Sequence, residues 1–457
     1  MYRHKEKEMY TWLVSHIVFP LHESLKKHNS VLLRKELENT QWLTNDELRE
    51  LQRKKLQRFL KTIGTNVPYY ARIFEELRID LSHKDTFQEL RRLPFLTKEI
   101  IRKNTPDLKS KYAKQLVRFN TGGSSGQPLV FFVGLDRVSH DVAAKWRATR
   151  WWDVDIGDRE IVVWGSPIEL GTQDKIRAIR DKVLRSRLLS AFEMSDQKVQ
   201  EFIDTIRTFR PKMLFGYPSA LAYIAKHAEA EGVQLNNIGL KVAFVTSEVL
   251  YDTQRQQIER TFGCPVANGY GGRDAGFIAH QCPAGGMHIS AEDIIVEIVD
   301  ESGRSVEPGI SGEIVVTHLA TGDFPFVRYK TGDIGVVDDA KCECGRGLPL
   351  LKEIAGRSTD FLVTTDGTVM HGLGLIYVLR ELQGIEEFKI VQESKLLTRV
   401  LVVVDDSFQS ESMSKIKREF KARLGQEVNI EIALVSKIPR EASGKYRYVV
   451  SKISGNQ

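Results

Sequence analysis

From Val117 onward the chain repeats one pattern that few architectures accommodate: a short apolar run, a helical stretch, then another apolar run. LVFFVG after Pro128, IVVWG at Ile161, MLFGY at Met213 and KVAFVT at Lys241 read as short buried strands. Helical segments around Val199 to Arg210 and from Ala220 to Ala230 lie between them. Strands without polar alternation, separated by helices, predict an α/β sandwich with sheets buried on both faces.

The flanking segments read differently. From Leu32 to about Leu60, apolar residues recur at three- and four-residue spacing, as an amphipathic helix requires; NVPYY at Asn66 to Tyr70 breaks that pattern, and Pro94 starts another turn and helix. Beyond Gly286, HISAEDIIVEIVD and GEIVVTHL show strand alternation around the Gly- and Pro-bearing turn ESGRSVEPGISG, which predicts a β-rich subdomain. After Arg357 come an apolar helix near Leu373 to Leu382, the strand RVLVVVD, a charged helix from Ser412 to Leu424 and the strand VNIEIALV, a compact α+β unit. The expected organisation is a helical N-terminal region at 1–110, a core with its β-rich subdomain at 111–356, and a small C-terminal lid at 357–457.

A chain of 457 residues has room for two or three domains and a substantial core. Its 66 basic and 60 acidic residues leave a net charge of +6, too slight a bias to imply a nucleic-acid partner. Arg53, Lys54, Lys55 and Arg58 fit the solvated face of a helix. Arg3, His4, Lys5 and Lys7 lead into only Thr11 to Leu21, interrupted by Ser15, His16 and Pro20, so the expectation is a cytoplasmic protein without a transmembrane segment. MYTWLVSHIVFPL is expected to pack on the protein's own body, with peripheral contact to a membrane surface as the alternative. Four cysteines without an export signal point to metal binding or catalysis rather than a disulfide framework.

Five motifs carry chemistry. In FNTGGSSGQP, Thr121, Gly122, Gly123, Ser124, Ser125 and Gly126 form a small-residue loop whose backbone N–H groups and hydroxyls suit phosphate oxygens, although no Walker lysine follows. NGYGGRD, Asn268 to Asp274, places an aromatic ring and a carboxylate around glycines; Tyr270 can stack on a base, and Asp274 can hold Mg2+. In FVRYKTGDIG, Asp333 follows the Thr331–Gly332 turn and can accept hydrogen bonds from ribose hydroxyls. GRSTD, Gly356 to Asp360, stands at the change into the last domain, and IPREASGKYR carries Lys445.

Together, and in this order, the five resemble the acyl-adenylate-forming superfamily over roughly residues 65 to 450, and VPYY, LPFLTK, YGxRD and CxCGR resemble its phenylacetate-CoA ligase branch, especially the capsule-biosynthesis-type members. The resemblance implies ATP, Mg2+ and coenzyme A as cofactors, with a large N-terminal domain and a C-terminal lid. It implies that Thr121 to Gly126 hold the β- and γ-phosphates, that Asn268 and Tyr270 contact adenine, Asp333 the ribose and Arg357 the ribose or phosphate, with Ser247, Gly269 and Gly271 in the same nucleotide site. Lys445 matches the catalytic lysine of the lid, and Asp274 stands where most members have Glu. Gln127 and Thr359 depart from the family pattern, the second at the hinge. The implied reaction is attack of a small-molecule carboxylate on the α-phosphate of MgATP, release of pyrophosphate, and transfer of the acyl group to coenzyme A or to an amine or hydroxyl acceptor.

Cys282 and His288 in CPAGGMH and Cys342 and Cys344 in CECG supply the four soft ligands that structural Zn2+ requires. Cys-x-Cys is tighter than the usual spacing and the pairs lie far apart, so four unligated residues remain the alternative; similar positions in the resembled branch favour the metal. Cys264 reads as buried and inert, and His280 and His318 as packed or surface residues without a catalytic role. Trp164, Tyr217 and Phe244 are candidates for the acid pocket, and the acid, the acceptor and the oligomeric state, with a dimer as one option, stay open. A non-catalytic regulator or scaffold is the competing class, against which the intact Lys445 and Asp333 argue.

Overall fold

The structure, a computed structural model, describes residues 9–81, 85–120, 129–164, 175–191, 196–357, 361–365, 369–371, 373–380, 382–438 and 448–453. It divides into two compact units, one of residues 1–331 with 335–354 and one of 332–334 with 355–457.

An eleven-stranded sheet organises the first unit. Ser186–Ser190, Glu160–Trp164, Met213–Gly216, Val242–Thr246 and Val266–Gly272 lie side by side as parallel neighbours. Val242–Thr246 and Met213–Gly216 are buried at every position, so their side chains serve two cores in alternation. Leu214, Ala243 and Val245 face a cluster containing Ile203, Leu221 and Ile258 of the covering helices Asp196–Phe209, Pro218–Ala230 and Asp252–Phe262. Met213, Phe215, Val242 and Phe244 face a second cluster with Ala148 of the helix Leu135–Arg150. At Val266–Gly272 the pairing becomes antiparallel, and the sheet continues through Gly276–Gln281 and Met287–Ile289 to Leu350–Arg357, Phe326–Asp338, Gly312–His318 and Ile294–Val299.

The N-terminal helices cover this antiparallel part. Leu56, Phe59, Leu60 and Ile63 of the helix Asn45–Asn66 are buried in the cluster that also holds Ile294, Ile314 and Val316. The stretch expected as one helix from Leu32 to Leu60 is two, Ser30–Thr40 and Asn45–Asn66, because Thr44 starts a new one. Its hydroxyl accepts the Glu47 N–H while the Glu47 carboxylate accepts the Thr44 N–H. Pro68 does not end helical structure; it opens the next helix, Pro68–Leu77, at a position where a missing N–H costs nothing.

The second unit pairs Asn429–Leu434, Leu397–Val404, Ile385–Ser394 and Val449–Ser451 in one sheet. Ile416, Phe420 and Leu424 of the helix Ser410–Leu424 pack on Ile390, Val400 and Val402 of that sheet. No helix among the described residues is long and apolar enough to cross a membrane.

Deep in the first unit, Arg147 and Glu292 form a fully buried ion pair. The guanidinium also donates to Ser290 Oγ and to the Leu37 carbonyl, each at 3.3 Å, so it ties the N-terminal helices to the sheet. Removing one partner of such a pair strands a buried charge. Arg147→Met should therefore lower the unfolding free energy by about 3–5 kcal/mol, read from the midpoint of a urea transition.

Candidate active site and metal cluster

Asn268, Gly269, Tyr270 and Gly271 all lie on Val266–Gly272, the strand at which parallel pairing gives way to antiparallel. In α/β sheets ligands bind outside the carboxyl ends of strands where the topology changes. The strand's far end meets its antiparallel neighbour so closely that a Cβ on Gly271 would stand 2.1 Å from the Gly276 carbonyl oxygen. Gly276 itself has φ +86°, a left-handed conformation that glycine adopts without strain. Asn268 donates its N–H to Gln281 Oε1 at 3.0 Å. Tyr270 is only 9% exposed, its ring packed in the large core with Ala275 and Ile278, so just an edge is open to a ligand. Ser247, directly after Val242–Thr246, has φ +72°, an uncommon conformation for a side-chain-bearing residue and one that clusters at functional sites.

Asp274 sits in the turn of this hairpin, and two groups hold its carboxylate. Tyr329, itself fully buried, donates its hydroxyl to Oδ2 at 2.7 Å, and the Ala275 N–H donates to Oδ1 at 3.0 Å. Each oxygen keeps a further lone pair, which leaves room for a cation. The turn's backbone is held in turn by Arg137, a residue that sequence reasoning missed. Arg137 is 1% exposed and donates from Nη1 to the Asp274 carbonyl at 3.1 Å and from Nη2 to the Arg273 carbonyl at 3.3 Å. Its Nε lies 3.0 Å from both Asp141 oxygens. Burial acts to raise the Asp141 carboxyl, but the Arg137 guanidinium beside it outweighs that and holds the group below its usual range. Arg273 reaches the Asn120 carbonyl at 3.4 Å, at the end of a two-stranded hairpin in which Val117–Asn120 pairs with Val130–Val133.

Thr121 to Gly126, Gln127, Thr359 and Lys445 lie outside the described residues. Asp333 is on the strand Phe326–Asp338, four positions after Tyr329, in the short section grouped with the second unit. Arg357 ends the strand Leu350–Arg357. Among the candidate pocket aromatics, Trp164 stacks on Tyr217 at 4.4 Å, and Phe215 links Trp164 to Phe244.

The four soft ligands converge. Sγ of Cys282, Cys342 and Cys344 and a ring nitrogen of His288 all lie within 4.8 Å of one another. Cys282 and Cys342 sulfurs are 3.6 Å apart, and His288 Nε2 is 3.2 Å from Cys344 Sγ. A tetrahedron built on Zn–S and Zn–N bonds of about 2.3 and 2.0 Å has edges of roughly 3.5–3.8 Å, so the cluster is near the size the ion needs. Strand pairing assembles it: His288 is opposite both His280 and Leu350, which brings the loop carrying Cys342 and Cys344 beside the turn after Cys282. His288 Nδ1 lies 3.2 Å from the Leu348 carbonyl, which fixes the proton there and leaves Nε2 as the ligand atom. Burial lowers the ring's pKa to about 4, keeping it neutral, whereas burial pushes the Cys282 thiol up to about 12 in the absence of a cation. Cys264 is buried, and burial likewise raises its thiol to about 12.

A second polar cluster was not legible in the sequence. His140, Asp141 and His318 bring their ligand atoms within 4.8 Å of one another, and His140 stacks edge-on to His318 at 4.7 Å. Both histidines are fully buried. His280 is fully buried as well, between Phe277 and Phe244.

Residues 187–321 match the AMP-binding enzyme family, and residues 362–452 match the CapK C-terminal domain. The fold is that of the adenylate-forming superfamily: the structure of 2-hydroxyisobutyryl-CoA ligase in the postadenylation state in complex with 2-HIB-AMP superposes with a TM-score of 0.73 at 20% identity, covering 90% of this chain and 91% of that one. The chain is an enzyme of the adenylate-forming class. Within that class it is related to protein CapK of Staphylococcus aureus, 26% identical over 89% of this chain and 90% of the relative. It is also related to the phenylacetate-coenzyme A ligase of Thermus thermophilus, 23% identical over 89% and 97%.

Burial lowers the pKa of His280 to about 3 and takes that of His318 well below the ordinary value. Below an unfolded pKa of about 6.5 the unfolded chain binds more protons than the folded one, so stability falls with pH and keeps falling until the folded ring itself titrates. Between pH 7 and 5 the loss should be roughly 2 kcal/mol from His280 alone. A series of denaturant titrations across that range checks it, and His280→Gln should show a shallower slope than the wild type.

Proposed function

We propose that the chain activates a small-molecule carboxylic acid with MgATP as the acyl-AMP, releases pyrophosphate, and passes the acyl group to coenzyme A. The observation that supports this reading most directly is the held carboxylate of Asp274, at the turn beyond the nucleotide-motif strand, with Tyr329 and Arg137 fixing the side chain and its backbone. A fixed carboxylate with spare lone pairs suits Mg2+, which prefers carboxylate oxygen shared with phosphate ligands. Thr121 to Gly126 are assigned to the β- and γ-phosphates, and Ser247 and Asn268 to Gly271 to the adenosine end. Asp333 is assigned to the ribose, Arg357 to the ribose or phosphate, and Lys445 to the charge that develops at the α-phosphate. The unit at 355–457 is read as the lid that delivers Lys445, then moves so that an acceptor reaches the adenylate. A bound adenylate in 2-hydroxyisobutyryl-CoA ligase and the phenylacetate-CoA ligase relatives favour this reaction and acceptor. Transfer to an amine or hydroxyl in polysaccharide or secondary-metabolite biosynthesis is the second reading, in keeping with the sequence resemblance to the capsule-biosynthesis-type members of the branch.

Acid-dependent ATP–pyrophosphate exchange, screened over aryl, hydroxy and aliphatic acids, tests the first half-reaction. Exchange with at least one acid is expected, and Lys445→Ala should lower it by about 100- to 1,000-fold, the loss typical of one preorganised donor. Asp274→Asn should weaken the response to Mg2+ before it weakens the response to the acid. No exchange with any acid counts against the reading, and exchange without thioester formation turns the acceptor toward an amine or hydroxyl.

The three thiolates and one imidazole are assigned to a structural Zn2+ that closes the strand and loop around His288. One zinc per chain is expected by elemental analysis of the purified protein. Cys342→Ser should lose it and lower the thermal midpoint, while a metal-free wild type of unchanged stability contradicts the assignment.

A further inference from the structure

The N-terminal helix, 9–25, is docked by one face and bare on the other. On the inner side Val14 and Phe19 are buried, Phe19 against the edge of Trp146 at 5.1 Å. Gly157 approaches so closely that a Cβ there would stand 2.7 Å from that of Val14. Thr11 donates to Asp158 at 2.8 Å, and Tyr10 donates to the Val183 carbonyl at 2.9 Å. The outer side carries Met9, Leu13, Ile17, Leu21 and Leu25, each four residues from the last and each between 42% and 78% exposed, with Trp12 54% exposed beside them. A four-residue period drifts around an ideal α-helix, but Val14–Val18 forms a π turn just ahead of Pro20, and the wider turn slows that drift. The result is an apolar stripe about 24 Å long.

Along the described helix the exposed charge is basic, with Glu6 and Glu8 preceding it in the sequence. Glu23 is the only acid between Met9 and Lys27, and it is buried, bonded to His22, His28 and Ser30. Lys26 and Lys27 follow the stripe and are exposed. The neighbouring segment 179–187 holds Arg180, Lys182, Arg185 and Arg187 against the single acid Asp181. It lies alongside the helix, because the Arg185 guanidinium is 3.6 Å from the Tyr10 ring centroid and the Tyr10 bond ends on Val183. Ile179 of that segment is exposed as well.

We propose that this face seats the enzyme on an anionic lipid surface, with the stripe from Met9 to Leu25 in the headgroup boundary and the flanking cations on lipid phosphates. Exposed leucine, isoleucine and tryptophan beside lysine and arginine is the composition of an interfacial helix. A second copy of the chain would cover the apolar stripe but would leave the flanking cations without the phosphates that an anionic surface supplies. The apolar face is held open by the docked inner side, so it needs no rearrangement to engage.

Sedimentation of the full chain with phosphatidylcholine vesicles, with and without about one-third phosphatidylglycerol, tests the assignment. The chain should sediment with the anionic vesicles and much less with the neutral ones, and binding should fall as salt rises. A Leu13→Glu/Ile17→Glu/Leu21→Glu variant should bind at least about a hundredfold more weakly, and Lys26→Glu/Lys27→Glu/Lys182→Glu at least about tenfold more weakly with little salt response. Circular dichroism melting separates these losses from unfolding, since the substituted side chains point outward. Failure of the wild type to sediment with anionic vesicles, or binding that the apolar triple variant leaves intact, overturns the proposal. So does a wild-type dimer in light scattering that the same variant dissociates.

Discussion

The buried Arg137 guanidinium is the constraint on which the geometry of the candidate site rests. It is anchored on its own helix by Asp141, one turn away, and spends its remaining donors on two consecutive main-chain carbonyls of the turn that bears Asp274. A buried cation left without these partners would be costly, so the interaction fixes both sides at once: the helix Leu135–Arg150 under the sheet, and the turn above it. His318 and Gly276 close the remaining space, since a Cβ on Gly276 would stand 2.9 Å from both Arg137 Nη2 and His318 Nε2. Fixed charge of this kind is what preorganised catalysis needs, because a loop that must be ordered during the reaction adds its ordering entropy to the barrier.

The same turn marks where the sheet changes character. On one side, the central parallel strands Met213–Gly216 and Val242–Thr246 are buried along their whole length and read in the sequence as unbroken apolar runs; on the other, antiparallel hairpins pack on the N-terminal helices. The strand carrying Asn268 to Gly271 belongs to both, and its glycines answer to that position. Gly269 has Phe244 of the parallel side at 2.8 Å from its virtual Cβ, and Gly271 has the Gly276 backbone of the antiparallel side at 2.1 Å. Side chains at either place would separate strands that hold the nucleotide motif between them.

What could be read from the sequence follows from how local each signal is. The strands at Ile161, Met213 and Val242 are continuous apolar runs, and their helices have clear periodicity, so the α/β core was legible. Ser186–Ser190 was not, because a five-residue edge strand with two serines and an arginine lacks an apolar run. Thr44 looked like one more polar residue in a helical stretch, although Glu47 three places on completes a capping box that marks a helix start. Cys282, His288, Cys342 and Cys344 are marked by residue type and by similar positions in the resembled branch, and the pairing of His288 with Leu350 explains how the two short pairs meet. Arg137 gave no signal, since an arginine four residues before an aspartate on an amphipathic helix usually marks a solvated face. The N-terminal segment was half legible: its packing face is real, while the exposure of every fourth apolar residue is a property of the docked helix.

Asp274 shows how the pieces constrain one another. The resemblance implies a glutamate there, and a side chain one methylene shorter must start from a backbone closer to the cation or lose reach. Two features favour a backbone set in place. Arg137 holds the carbonyls of residues 273 and 274, and Tyr329, buried in the core with Phe326 against its ring edge, fixes one carboxylate oxygen. Tyr329 also begins the run to Thr331, whose hydroxyl donates to the Ile314 carbonyl at 2.9 Å, and to Asp333. A change at Tyr329 would thus act on Asp274 through a hydrogen bond. The carboxylate assigned to Mg2+ depends on a buried aromatic residue that need touch neither ATP nor the acid.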